Sequence, residues 1–359
     1  MFSYCSKSRG RRRRSSATVL GTSILVAAFA LAATGVPAGA ASSTTSSFIL
    51  PSFGPMAKVI SIATDPVNGP LAAYRNAAGA VYVKQGSLNA GWVQQIAGGA
   101  RSIAVASDAT NGPLIAYVDT TGTVWAKEGS LNSGWVKEQT GVTGVAVASD
   151  PTNGPLIAIL DSSGTVWAKD GSLNAGWVKI QGPGDVSVSV ASDPTNGPLV
   201  MTLDRTGTAW ALEGSLNSGL VKERGPGVWA IAAASDATNG PLLATLEGLG
   251  AFYAKQGSLS AGWVQEQSWG VWTIAVASDP TNGPLLTMLN GLGTAWTKEG
   301  SLNAGWVREL GPGVWATAAA SDPTNGPLLA VLWYIDYLAK DGSLNSGWTV
   351  LKGPLKGPA

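Results

Sequence analysis

Seven aspartates stand at near-constant spacing in this sequence: Asp65, Asp108, Asp150, Asp193, Asp236, Asp279 and Asp322. Each opens a turn-forming phrase that carries Asn-Gly-Pro three residues on, beginning at Asn68, Asn111, Asn153, Asn196, Asn239, Asn282 and Asn325. One carboxylate per loop is a poor calcium site, because Ca²⁺ takes about six to eight oxygens. The residue types fit a turn: Asp closes an Asx turn, Pro sets φ, and Asn-Gly favours positive φ. A second acidic column, Asp119, Asp161, Asp204 and Glu247, sits three residues before a turn glycine and reads the same way. The clearest acids outside these columns, Asp185 and Asp336, fall in different repeats and have no evident partner. Glycoside hydrolysis needs an opposed carboxylate pair. The chain has no histidine, and its single cysteine is Cys5. The commonest general base, the commonest metal ligand and the thiol nucleophile are therefore missing. These counts predict no catalytic residue, no metal site and no cofactor.

The aromatic residues are the stronger candidates. One column holds Tyr82, Trp125, Trp167, Trp210, Tyr253, Trp296 and Tyr337; another holds Trp92, Trp135, Trp177, Trp263, Trp306 and Trp348, with Leu220 in the fourth repeat. Large flat rings at every repeat fill space between units. An indole face also stacks on the C–H face of a pyranose, with amides nearby to bind its hydroxyls. The pairs Trp125 with Asn132, Trp167 with Asn174 and Trp296 with Asn303 are the groove candidates for that role.

A departure from the repeat says more than the repeat. Seven residues before each column aspartate stand Lys58, Arg101, Thr143, Val186, Trp229, Trp272 and Trp315. Only the last three repeats place tryptophan there, and Trp269 adds a fourth indole. Packing satisfied by other residues in four repeats does not require tryptophan in three. Trp229, Trp269, Trp272 and Trp315 are the preferred ligand or partner site.

The elements that hold these residues follow from the period. The Asn-Gly-Pro phrase returns every 42 or 43 residues. Within one unit, Gly144 to Ala148, Leu156 to Leu160, Thr165 to Lys169 and Trp177 to Ile180 read as four short strands, separated by turn formers and showing no helical period. Four strands per unit and seven units predict an all-β, seven-bladed β-propeller with four antiparallel strands per blade. A helical solenoid is excluded by Gly or Pro about every ten residues. The Ala/Val/Ser-rich strand is placed innermost, where only small side chains fit. The alternative makes it outermost, with Lys58 to Ala63 closing the last blade as a borrowed strand.

The ends divide into segments. Residues 1–40 carry a basic head (Lys7, Arg9, Arg11 to Arg14), an apolar run from Thr18 to Val36 and Ala38-Gly39-Ala40, the pattern of a cleaved signal peptide. The arginine pairs leave both the general and the twin-arginine routes open. Residues 41–56 read as a Ser/Thr-rich linker, 57–351 as the propeller and 352–359 as a flexible tail. Without residues 1–40 the chain keeps 17 Lys and Arg against 22 acids, net −5. That balance argues against nucleic acid or an anionic membrane as partner. A secreted, extracellular chain without cysteine must rely on packing alone.

The units Val145-Ala146-Val147, Gly164-Thr165-Val166-Trp167 and Gly176-Trp177-Val178 resemble the tachylectin/tectonin group of lectin propellers, over roughly Lys58 to Leu351. The resemblance implies carbohydrate binding at several equivalent sites in grooves between blades, with glycans or glycoproteins as partners. The Ser-Asp-Pro-Thr-Asn-Gly-Pro loop departs from that group, so its sugar site is not carried over residue by residue. The expected function is a secreted, multivalent, non-catalytic lectin-like propeller. The alternatives are an extracellular protein-binding scaffold that uses the tryptophan arc and, third, a propeller glycosidase or lactonase.

Overall fold

The computed structural model describes residues 46–48 and 59–351, apart from residue 335. The expected signal segment, most of the linker, the tail and Lys58 lie outside the described residues. Among those described, every regular element is a strand, and the strands form seven separate sheets. The molecule is a seven-bladed β-propeller.

Blade 3 shows the local logic. Its strands are Val142–Asp150, Gly154–Asp161, Val166–Asp170 and Val178–Gln181, paired antiparallel in sequence order. The first hairpin closes tightly: Ser149 faces Pro155 and Asp150 faces Gly154. Gly154 takes φ +78°, and a Cβ there would stand 2.9 Å from the Gly171 carbonyl oxygen of the next loop. Only glycine meets both conditions. The first two strands are buried on both sides, whereas the fourth alternates between half-buried and exposed. Alanine, valine and serine suit the crowded axis, and the polar alternation suits the rim.

The first strand is innermost. The Val105 amide donates to Ser61 Oγ of the preceding blade's first strand (3.1 Å), and Ala233 donates likewise to Ser189. Each blade is contiguous in sequence, so no borrowed strand closes the ring. Blade 1 instead gains a strand on its inner side. Ser46–Phe48, within the stretch expected as a linker, pairs antiparallel with Val59–Ala63.

The column aspartates do more than make turns. In each loop one oxygen, Oδ1, caps the turn, as when Asp150 Oδ1 accepts from the amides of Thr152 and Asn153. The other oxygen accepts a hydroxyl from the next blade: Ser107 to Asp65, Ser149 to Asp108, Ser192 to Asp150, Ser235 to Asp193, Ser278 to Asp236 and Ser321 to Asp279. Thr64 of blade 1 donates to Asp322 of blade 7 at 2.7 Å and completes the circuit. The Asn-Gly-Pro asparagines add a second stitch, each Nδ2 donating to the next blade's aspartate carbonyl, Asn325 to Asp65 included. All seven aspartates are buried. Hydrogen bonds to a carboxylate contribute roughly 1.5–3 kcal/mol each, so this circuit is a main fastening of the ring.

Candidate functional site

The ring has two faces. The loop face carries the aspartate hairpins and the Gly-Ser-Leu loops between third and fourth strands. The turn face carries the turns between second and third strands and the connections between blades.

The predicted groove pairs are split between these faces. Trp125 Nε1 donates to Asp119 Oδ2 (3.0 Å), Trp167 to Asp161 (3.1 Å) and Trp210 to Asp204 (3.1 Å), which draws these indoles toward the turn face. Asn132, Asn174 and Asn303 are exposed in loops at the opposite end of the same strands. Trp296 is half-buried in the same column and does not change the arrangement. The pairs therefore do not converge. The second acidic column is the reason: its carboxylates anchor the indoles as well as the turns. Burial opposes ionisation of Asp119, but bonds from the Thr121 hydroxyl, the Thr123 amide and the Trp125 indole outweigh it and hold its pKa at about 2.

The fourth-strand tryptophans take part in the seams between blades. In every blade but the fourth, a buried lysine of the third strand lies over the tryptophan of its own blade: Lys169 over Trp177 at 5.1 Å, Lys298 over Trp306 at 5.2 Å. In four blades the same lysine reaches a glutamate of the preceding blade. The ion pairs are Lys169–Glu138, Lys255–Glu223, Lys298–Glu266 and Lys340–Glu309. Its ammonium also donates to a loop carbonyl four residues on, for example Lys255 to Leu259. These half-buried rings are packing elements of the seams.

Three seams break this pattern. Between blades 1 and 2 the acid's place is taken by Gln95, whose Oε1 accepts from Lys127. Between blades 3 and 4, Ile180, Leu212 and Leu220 replace acid, lysine and tryptophan together and pack in one apolar cluster. Between blades 7 and 1, Leu351 stands in the acid's place. Lys84 there donates to the Leu88 carbonyl (2.9 Å) and lies 4.6 Å from the Trp92 ring centroid. Tyr337, Tyr74 and Trp92 fill this seam, with Tyr337 5.8 Å from Trp92 and 6.3 Å from Tyr74. Burial raises the Tyr337 and Tyr74 phenols and lowers Lys84, so all are driven toward their neutral forms.

The loop-face mouth of this 7/1 seam holds a groove of about 320 Å³. Ser87 and Asn89 of blade 1 line one side, Asn325, Asp341 and Thr349 of blade 7 the other, with Gly69 and Gly86 leaving room between. Thr349 takes a place that is valine in the other six blades. Asp341 Oδ1 is buried without a hydrogen-bond partner. Burial, and then the charge of Asp322, push the Asp341 carboxyl up to about 6.

Asp341 belongs to a column that sequence reasoning passed over: Gln85, Glu128, Asp170, Glu213, Gln256, Glu299 and Asp341, each directly after the lysine position. Glu128, Asp170 and Glu299 likewise each keep one buried oxygen without a partner. Burial, reinforced by Asp108 and Asp150 respectively, raises Glu128 and Asp170 to about 7. The constant place after lysine was the signal available. A carboxyl that lines a polar seam, as Asp341 does, offers an acceptor to the hydroxyls of a neutral polyol. No group of three or more metal-ligating side chains occurs among the described residues.

The four tryptophans of the predicted arc lie on the turn face. Trp269, Trp272 and Trp315 are exposed, and Trp229 is half-buried. Asp185 and Asp336 remain apart, Asp185 at the seam of blades 3 and 4 and Asp336 in the third strand of blade 7.

No family model and no curated relative matches this sequence. Similar solved structures include lectin propellers. The lectin BP39L of Burkholderia pseudomallei has a TM-score of 0.61 at 13% identity, covering 77% of this chain and 93% of its own. BBS1N in complex with ARL6DN has a TM-score of 0.53 at 11% identity, covering 76% and 87%. A six-bladed fucose-recognising lectin of Aleuria aurantia matches at 0.43 and 14% identity, over 72% and 94%. At these identities the likeness shows the fold. It includes bacterial and fungal lectin propellers but does not single out the tachylectin/tectonin group.

Proposed function

We propose that this chain is a secreted carbohydrate-binding propeller that holds neutral glycan hydroxyls in loop-face seams and performs no chemistry on them. The observation that carries the reading is the 7/1 groove. It brings the Asp341 carboxyl together with Ser87, Asn89, Asn325 and Thr349 around about 320 Å³. Carboxylate, amide and hydroxyl together supply acceptors and donors for a vicinal diol. The lectin named among the similar folds supports the same class. Repetition of the acidic column around the ring supports several weak sites and gain by avidity.

The test is a glycan array probed with the secreted protein and with Asp341→Asn. The wild type should bind a defined glycan set, and the variant should lose affinity roughly tenfold, as expected for a lost charge-assisted bond. Binding should strengthen as pH rises through about 6, where Asp341 ionises, and the variant should lose that dependence. An array blank for the folded wild type would end the proposal. N-terminal sequencing of the exported product should begin at Ala41.

A further inference from the structure

The turn face breaks the repeat in three adjacent blades, and it does so in two respects at once. In blades 2 to 4 the turn between second and third strands exposes Thr120 and Thr121, Ser162 and Ser163, Arg205 and Thr206. In blades 5 and 6 the same places read Gly248-Leu249 and Gly291-Leu292, and in blade 7 Tyr334 follows Trp333. The first strand turns aromatic in the same blades, at Trp229, Trp272 and Trp315. The turn acid changes as apolar surface arrives. The turn acid of blades 2 to 4 becomes Glu247 held by Arg224 (2.5 and 2.7 Å), then Asn290, then Trp333.

These side chains form one patch. Main-chain bonds run across it: Gly270 N to the Leu249 carbonyl (3.0 Å), Gly291 N to Gly270 (2.9 Å), Val314 N to Gly293 (3.0 Å) and Tyr334 N to Gly313 (2.9 Å). The Trp272 indole lies against Gly291, where a Cβ would come within 2.8 Å of Nε1. The Tyr334 ring lies against Gly313 in the same way, at 2.5 Å from a Cβ there.

The composition of the patch identifies what it meets. The aliphatic tips are the most exposed, Leu249 at 91% and Leu292 at 79%. The amphipathic rings come next: Trp269 at 71%, Tyr334 at 61%, Trp272 at 58% and Trp315 at 51%. Arginines lie at its margins, Arg205 in the blade 4 turn and Arg308, which donates to the Gly311 carbonyl. A leucine tip between glycines offers a sugar neither a hydrogen bond nor a flat ring face. Exposed aliphatic tips, amphipathic indoles and a phenol among them and guanidinium at the edge are the residue types of a lipid interface. Few carboxylates remain to raise the desolvation cost of such contact: Glu247 is paired with Arg224, and Asp336 is half-buried opposite Trp333.

We infer that blades 5 to 7 dock the ring, turn face down, on a zwitterionic lipid bilayer, with Leu249 and Leu292 entering the acyl boundary and the tryptophans at headgroup level. The net negative charge that disfavours an anionic membrane does not oppose a zwitterionic one. Glycan binding on the opposite face is independent of this contact.

The test is flotation of the protein recovered from the medium with phosphatidylcholine vesicles, read together with tryptophan emission. Partition with a blue shift is expected, with little dependence on salt and no gain from added phosphatidylglycerol. Leu249→Asp with Leu292→Asp should reduce partition about 100-fold, because two inserted apolar tips are lost. An unchanged melting temperature should accompany this, since both side chains are solvent-exposed. Asp341→Asn should leave partition unchanged. The inference is overturned by absent partition at millimolar lipid, or by undiminished partition of the double variant. It is equally overturned if the double substitution converts a sedimenting dimer to monomer, which would assign the patch to a second copy of the chain.

Discussion

Asp185 is the residue whose chemistry departs furthest from its siblings. The matching positions hold Ala100, Val142, Val228, Val271 and Val314, all buried and apolar. Asp185 is 3% exposed, and neither carboxylate oxygen has a hydrogen-bond partner. Burial, and then the neighbouring charge of Asp204, raise its pKa from 3.8 to about 7. A folded pKa above the unfolded one means the protonated form favours the fold. That stability is fully present below about pH 4 and is lost as pH rises through about 7. Asp185→Val should therefore raise stability at pH 8 by on the order of 2–4 kcal/mol and change it far less at pH 4, as read by denaturant titration at both values. An equal gain at both would remove the protonation account. In the sequence Asp185 was visible as a stray acid. Its burial was not, because burial comes from the turn of the preceding blade: the Asp185 amide donates to the Gly164 carbonyl at 2.9 Å.

At the scale of elements, the molecule contains its own control experiment on buried charge. Four seams hold a lysine–glutamate pair over a tryptophan, and the seam between blades 3 and 4 replaces all three members with Ile180, Leu212 and Leu220. Burying an ion pair costs nearly what the pair returns, whereas removing one partner strands the other. Lys298→Met alone should cost about 3–5 kcal/mol by leaving Glu266 unpaired. Glu266→Ile, Lys298→Leu and Trp306→Leu together should recover most of that loss, as measured by thermal and chemical unfolding. A triple variant no better than the single one would show that the apolar seam depends on blade-specific backbone. The strand order and the blade were readable from turn formers and period-two runs. The seams were not, because lysine, glutamate and tryptophan lie in different strands and the glutamate in a different blade. Only the joint loss of all three in blades 3 and 4 marked them as a unit. The groove pairs failed for a related reason: spacing along a strand gave Trp125 and Asn132 one column each, but not the Asp119 bond that draws the indole to the other face.

At the scale of the whole molecule, the copies differ notably in three places. The 7/1 seam differs in carrying Thr349 and Leu351, the 3/4 seam in its apolar core, and the turn face of blades 5 to 7 in its exposed rings and leucines. The Trp229, Trp272 and Trp315 arc was legible because it breaks a strict repeat. Leu249 and Leu292 were hidden among turn glycines, where a sequence reader expects no interface. The hydroxyl-to-carboxylate circuit has one more consequence. Its last link, Thr64 to Asp322, uses the same acceptor oxygen as the six others, and among the described residues every strand pairs within its own blade. Apart from the added strand Ser46–Phe48 and the side chains of the 7/1 seam, the fastening gives the ring no privileged beginning. Joining the existing ends with a short flexible linker and opening new ones at Pro183, exposed between blades 3 and 4, should give a circular permutant with the parent's sheet content and a cooperative melt. Such a molecule would show that the chain's origin is an accident of its history, and that each blade recognises its neighbour rather than its place in line.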